Sequence, residues 1–291
     1  MVKFAVKLLV SISLIVLVIW KFPISEIFYN LQNAKIGWFL ATFLLGELII
    51  LNQAFRWHYL LIVPKEQKPK FSILLKYTAV GYFFNILAPG GIGGDAYRSI
   101  ALGRAHNVIA GSVASVFIAK IFGLLAVCLL FWLALPHSEK IPEQAIGFMA
   151  AASLLLVVFC LFIVFNPFKK GKLGEIAGKL REYKEYPLRL AIAMFGSLLM
   201  QILVVFMQIS LFYAVGIEFS LALVFVIVPA TILITAIPIS FNGIGVREWS
   251  MLSLTAYTIN SEQLLASLFL GYAVIILQAV QGWVISVFYI K

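Results

Sequence analysis

Six stretches of this 291-residue chain are apolar enough and long enough to cross a bilayer, near residues 4 to 20, 38 to 62, 108 to 135, 144 to 165, 188 to 215 and 264 to 290. A helical span needs about 20 such residues. Inside lipid the backbone has no water to bond, so spans of this length fold as helices that satisfy their own peptide groups. Two further apolar stretches, 71 to 88 and 219 to 240, each run into a glycine-rich break and then a shorter amphipathic piece. Charged residues make up 12% of the chain and hydrophobic ones 63%. A soluble domain carries about 25% charged residues, so an ordinary soluble fold is excluded. The expectation is an all-α polytopic membrane protein.

The first segment resembles a signal sequence, with Lys3 and Lys7 ahead of the apolar run, but Trp20-Lys21-Phe22-Pro23 offers no small-residue cleavage site. It is expected to remain as an anchor. The formal charge of +10 comes from 22 Lys and Arg against 12 Asp and Glu, and its position sets orientation because cytoplasmic loops keep positive charge. Lys3 and Lys7 put the N-terminus inside. The loop at 63 to 70 carries Lys65, Lys68 and Lys70, and the loop at 166 to 187 carries Lys169, Lys170, Lys172, Lys179, Arg181 and Lys184. Both loops are cytoplasmic only if 71 to 105 is re-entrant from the cytoplasm and 219 to 262 from outside. That arrangement leaves Lys21, Lys35 and Lys140 external and both termini inside, in the cytoplasmic (inner) cell membrane. With topology accounting for the charge, nucleic-acid binding has no support.

Six full spans and two re-entrant elements divide into halves of opposite orientation. Residues 1–143 form the first repeat and 144–291 an inverted second, together one membrane domain. The two breaks match in place and pattern: Pro89-Gly90-Gly91-Ile92-Gly93-Gly94-Asp95-Ala96-Tyr97-Arg98, and Pro238-Ile239-Ser240-Phe241-Asn242-Gly243-Ile244-Gly245-Val246-Arg247-Glu248. Proline breaks a helix, and glycine lets the chain turn tightly and a ligand approach the backbone. Irregular backbone at membrane depth must line a polar cavity or be buried in protein. A helix restarting after Gly94 would present free N–H groups to an anion, with Asp95 as its N-cap and the guanidinium of Arg98, one turn in, gripping a pair of phosphate oxygens. Asp95 as a cap alone is the competing reading.

These two motifs, with Asn85-Ile86-Leu87-Ala88 preceding the first, resemble the lysylphosphatidylglycerol synthase transmembrane, or flippase-like, family across nearly the whole chain. The resemblance implies movement of an anionic phospholipid or lipid-linked phosphate between leaflets. Asn242 departs from the small residue expected at its position. The chain ends at Lys291 without the aminoacyl-transferase domain that family fusions carry, so lysyl transfer is not expected.

The ionisable residues falling inside membrane segments are Glu47, Arg56, Lys76, Asp95, Arg98, Arg104, Lys120, Arg247 and Glu248. Such groups usually pair internally or serve function, and the excess of cations suits an anionic headgroup. Arg56, Lys76 and Arg104 lie near segment ends and are expected to snorkel to the interface. Lys120 and Glu47 sit deep. For Lys120, a structural pair with Glu47 or Asp95 and a substrate contact both stay open, as does a mutual Arg247–Glu248 pair. The candidate substrate-binding set is therefore Glu47, Gly91, Gly93, Gly94, Asp95, Arg98, Lys120, Asn242, Gly243, Gly245, Arg247 and Glu248.

His58, His106 and His137 form no metal spacing, and Cys128 and Cys160 lie in apolar segments as small hydrophobes. No cofactor, metal or catalytic residue is expected. The main alternative to transport is an intramembrane transferase acting on a polyprenyl phosphate or phospholipid with Asp95 or Glu248 as base, or a non-catalytic membrane subunit of such an enzyme.

Overall fold

A computed structural model describes residues 2–87, 93–138, 141–165, 178, 180, 182–237, 239–240, 242–256 and 258–289. Gly91 and the rest of 88–92, Pro238, Phe241 and most of the 166–181 loop lie outside them. The described residues form eleven α-helices: α1 (Val2–Lys21), α2 (Ile24–Gln32), α3 (Ile36–Leu60), α4 (Phe71–Leu87), α5 (Gly93–Ala105), α6 (Ile109–Ala134), α7 (Glu143–Phe165), α8 (Pro187–Val215), α9 (Leu221–Ala236), α10 (Val246–Leu254) and α11 (Ser261–Tyr289).

Five of these, α3, α6, α7, α8 and α11, are long and apolar enough to cross a membrane. They coincide with five of the six expected spans. The sixth, 4 to 20, lies within α1, which meets α10 where the Trp249 indole donates to the Leu14 carbonyl at 3.1 Å. The outer surface is apolar where a soluble protein would be charged: Leu154, Leu155 and Leu161 of α7 are at least half exposed. Lipid is the solvent that such a face accepts.

The two ambiguous stretches each form a broken pair, α4 then α5 and α9 then α10. At 17 and 16 residues, α4 and α9 reach only about 25 Å, short of a hydrocarbon core of about 30 Å. Around them the helices pack in a regular scheme. The long helices α3 and α8 lie against each other, α4 packs on α11 and α9 on α6, α5 on α6 and α10 on α11, and α8 on α6 as α3 on α11. The main core is drawn from α6, α8, α9, α10 and α11, with Phe131, Phe212, Ile227 and Leu264 fully buried.

Candidate functional site

After the first break, Gly94 permits a contact that other residues forbid. A Cβ on Gly94 would lie 2.2 Å from the Gly81 carbonyl oxygen, so α5 presses its first turn directly on α4. Asn85 accepts the Gly94 N–H through Oδ1 at 2.8 Å. The expected cap is thereby corrected: α5 starts at Gly93, Asp95 stands inside its first turn, and Asn85 from the preceding helix takes the Gly94 donor.

Asp95 instead binds cations. One carboxylate oxygen lies 2.8 Å from Arg98 Nη2 and the other 3.2 Å from Lys120 Nζ on α6. Of the two partners weighed for Lys120, Asp95 is the one it meets. Lys120 is not deeply buried, since 56% of its side chain is exposed, whereas Arg98 is 3% exposed and stacks over the fully buried Trp57 ring at 5.1 Å. Trp57 is held in turn by donating to Ser115 Oγ at 2.9 Å. Both two-donor edges of a guanidinium include Nη2, so the fork expected to grip a phosphate is engaged by Asp95. Arg98 Nε and Nη1 are buried without an acceptor.

Arg56 requires the larger revision. Rather than snorkelling to an interface it is 4% exposed, donates through Nη1 to Ser197 Oγ on α8 at 2.8 Å, and keeps a buried Nε without an acceptor. It lines a cavity of about 340 Å³ together with Asp95, Arg98, Lys120, Gln201 and Asn242. The spacing of Asn52 and Arg56 carried the signal, because residues four apart share a helix face and Asn52 also reaches α8, donating to the Gly196 carbonyl at 2.7 Å. Gln201 was missed for lack of charge. Lys76 and Arg104 are exposed.

The second motif reaches the same cavity through Asn242. That residue adopts φ +56°, followed by Gly243 at +78° and Gly245 at +82°. Left-handed backbone is open to Asn at modest cost and to Gly at none, which accounts for Asn at a position where a small residue was expected. A Cβ on Gly245 would lie 2.5 Å from Leu14 Cβ. Glu248 is fully buried and uses both oxygens internally, accepting the Gly245 N–H at 2.7 Å and the Tyr272 hydroxyl at 2.6 Å. It is the reach-back half of a capping box. Arg247 is not its ion-pair partner; it lies over the Tyr272 ring at 5.4 Å and lines a second cavity of about 270 Å³ with Tyr82, Gln208 and Gln278. Met200, Val204, Ile232 and Thr235 face both cavities.

Glu47 stands apart, accepting from Gln281 at 3.1 Å between α3 and α11. Among the described residues the first cavity therefore gathers three cations, Arg56, Arg98 and Lys120, and one carboxylate, Asp95. Both guanidinium groups there are desolvated, partly unpartnered and fixed by Trp57 and Ser197.

Residues 4–287 match the family model described as the lysylphosphatidylglycerol synthase TM region. No curated protein and no solved structure matches the chain.

Proposed function

The chain belongs to the lysylphosphatidylglycerol synthase TM-region family, and from that premise we propose that it moves an anionic phospholipid or lipid-linked phosphate between leaflets of the cell membrane, without chemistry. One observation carries the reading: Asp95 and Arg98, just after the first break, and Asn242, within the second motif, line a single cavity with the buried guanidinium of Arg56. A phosphate there would supply the counter-charge that these cations lack. The apolar tail would stay in lipid against the exposed helix faces.

In this reading α4–α5 and α9–α10 are re-entrant elements, α1 completes six full spans, and residues 1–143 and 144–291 are inverted repeats with both termini cytoplasmic. The packing scheme supports the repeat. Exchanging α3 with α8, α4 with α9, α5 with α10 and α6 with α11 turns the α4–α11 contact into α9–α6, and the α6–α8 contact into α11–α3, while α3–α8 maps onto itself. Binding at the interface of inverted repeats, between broken helices, suits alternating access by rocking of the halves. Arg98 would hold the headgroup in the first cavity and Arg247 in the second.

The test is headgroup translocation by the purified chain in proteoliposomes. Loss of flipping in both Arg98→Ala and Arg247→Ala, with the elution profile of folded protein retained, is the expected result. Wild-type flipping rates in both variants would remove the assignment. Appearance of a new lipid product in place of movement would favour a transferase.

A further inference from the structure

We infer that the Arg56–Arg98 cavity selects a doubly charged phosphate, a phosphomonoester or a diphosphate, over the singly charged phosphodiester of an ordinary glycerophospholipid. For the identity of the cavity this rests on the transport reading above. The argument is one of charge and donors. Arg56 and Arg98 are 4% and 3% exposed, out of contact with bulk water, and among the described residues the one carboxylate lining the cavity, Asp95, is shared between Arg98 and Lys120. Two positive charges are left without a counter-charge. A phosphodiester brings one negative charge and two non-ester oxygens. A phosphomonoester brings nearly two charges at neutral pH and three acceptor oxygens, which matches the two cations that Asp95 leaves without a counter-charge.

Arg56 is the residue that sets the preference. Arg98 with Lys120 and Asp95 alone would leave a single net positive charge, matched by a phosphodiester; Arg56 adds the second. Its anchorage to Ser197 on α8 at 2.8 Å holds it in place across the cavity wall. The remaining polar lining, Gln53, Gln201, Thr235 and Asn242, is uncharged and leaves that balance unchanged.

The experiment is competition for the purified chain in phosphatidylcholine nanodiscs, with fluorescent phosphatidate displaced by unlabelled phosphatidate, a polyprenyl phosphate or phosphatidylglycerol. Wild-type protein is expected to favour both phosphomonoesters over phosphatidylglycerol by about tenfold. Arg56→Gln should bring the ratio close to one by weakening phosphomonoester binding more than phosphatidylglycerol binding, and Arg56→Lys should keep most of it. Equal affinity of the wild type for phosphatidate and phosphatidylglycerol overturns the proposal, whether or not the variants fold. Preference for only one of the two phosphomonoesters upholds it and identifies the tail. Parallel translocation assays separate the two ideas: preferential binding without movement of any lipid upholds this proposal and overturns transport, while movement without preference does the reverse.

Discussion

Asp95 holds Arg98 at 2.8 Å through one oxygen and Lys120 at 3.2 Å through the other, so a single carboxylate ties a buried cation of its own helix to an exposed cation on α6. In the transport reading, an incoming phosphate would compete with Asp95 for Arg98 Nη2, and its release would be the return of the carboxylate.

Asp95→Asn should therefore bind an anionic lipid about tenfold more tightly and release it more slowly, lowering turnover in a flipping assay. Without lipid, buried Arg98 loses its counter-charge, and the unfolding temperature in detergent should fall. Added phosphatidate should recover it by binding the folded state. Unchanged affinity together with unchanged turnover would refute the competition.

Gly94→Ala places a methyl group against the Gly81 carbonyl, a backbone atom that cannot rotate away. Overpacking of this kind costs about 1–3 kcal/mol. Gly147→Ala, where a Cβ meets nothing within 4 Å, is the control and should leave thermal unfolding unchanged.

Glu248 and Arg247 are neighbours with separable roles. Glu248→Ala removes acceptors from the Gly245 N–H and the Tyr272 hydroxyl in a fully buried setting, and should cost about 2–4 kcal/mol and lower the yield of folded protein. Arg247→Ala should unfold at the wild-type temperature and lose lipid movement. Normal stability of Glu248→Ala would remove the capping role.

Tyr183 lies in the turn before α8, is buried, and donates to the Leu60 carbonyl at the end of α3. Burial pushes its phenol above the usual tyrosine range. A group held protonated in the fold contributes stability that is fully present below the unfolded pKa of about 10 and is lost as pH rises beyond it. Tyr183→Phe should lower stability by about 1 kcal/mol at neutral pH. It should also flatten the fall above pH 10, read as unfolding temperature against pH.

Apolar length and the positions of proline and glycine made the helices and both breaks legible, since those properties act locally. The site was legible in part. Asp95, Arg98 and Asn242 followed from the break motifs and do meet in one cavity. Arg56 was misplaced because nearness to a helix end fixes how far a side chain can reach, while the direction it takes depends on α8 packing along α3. The cap was misassigned because Asn85 precedes the break and reaches over it, which spacing alone does not encode. Glu248 three residues after Gly245 is the pattern of a reach-back cap, and there the sequence held the answer.

The partition of Met200, Val204, Ile232 and Thr235 is one side chain thick and offers a passing anion nothing to bind. Even the Thr235 hydroxyl is turned back onto the Thr231 carbonyl at 2.8 Å. In the transport reading, a free inorganic ion would have to pass these side chains bare, whereas a tethered headgroup would keep its tail solvated by lipid. In that reading, the same four side chains would insulate against ionic leak beside a cavity built of charge.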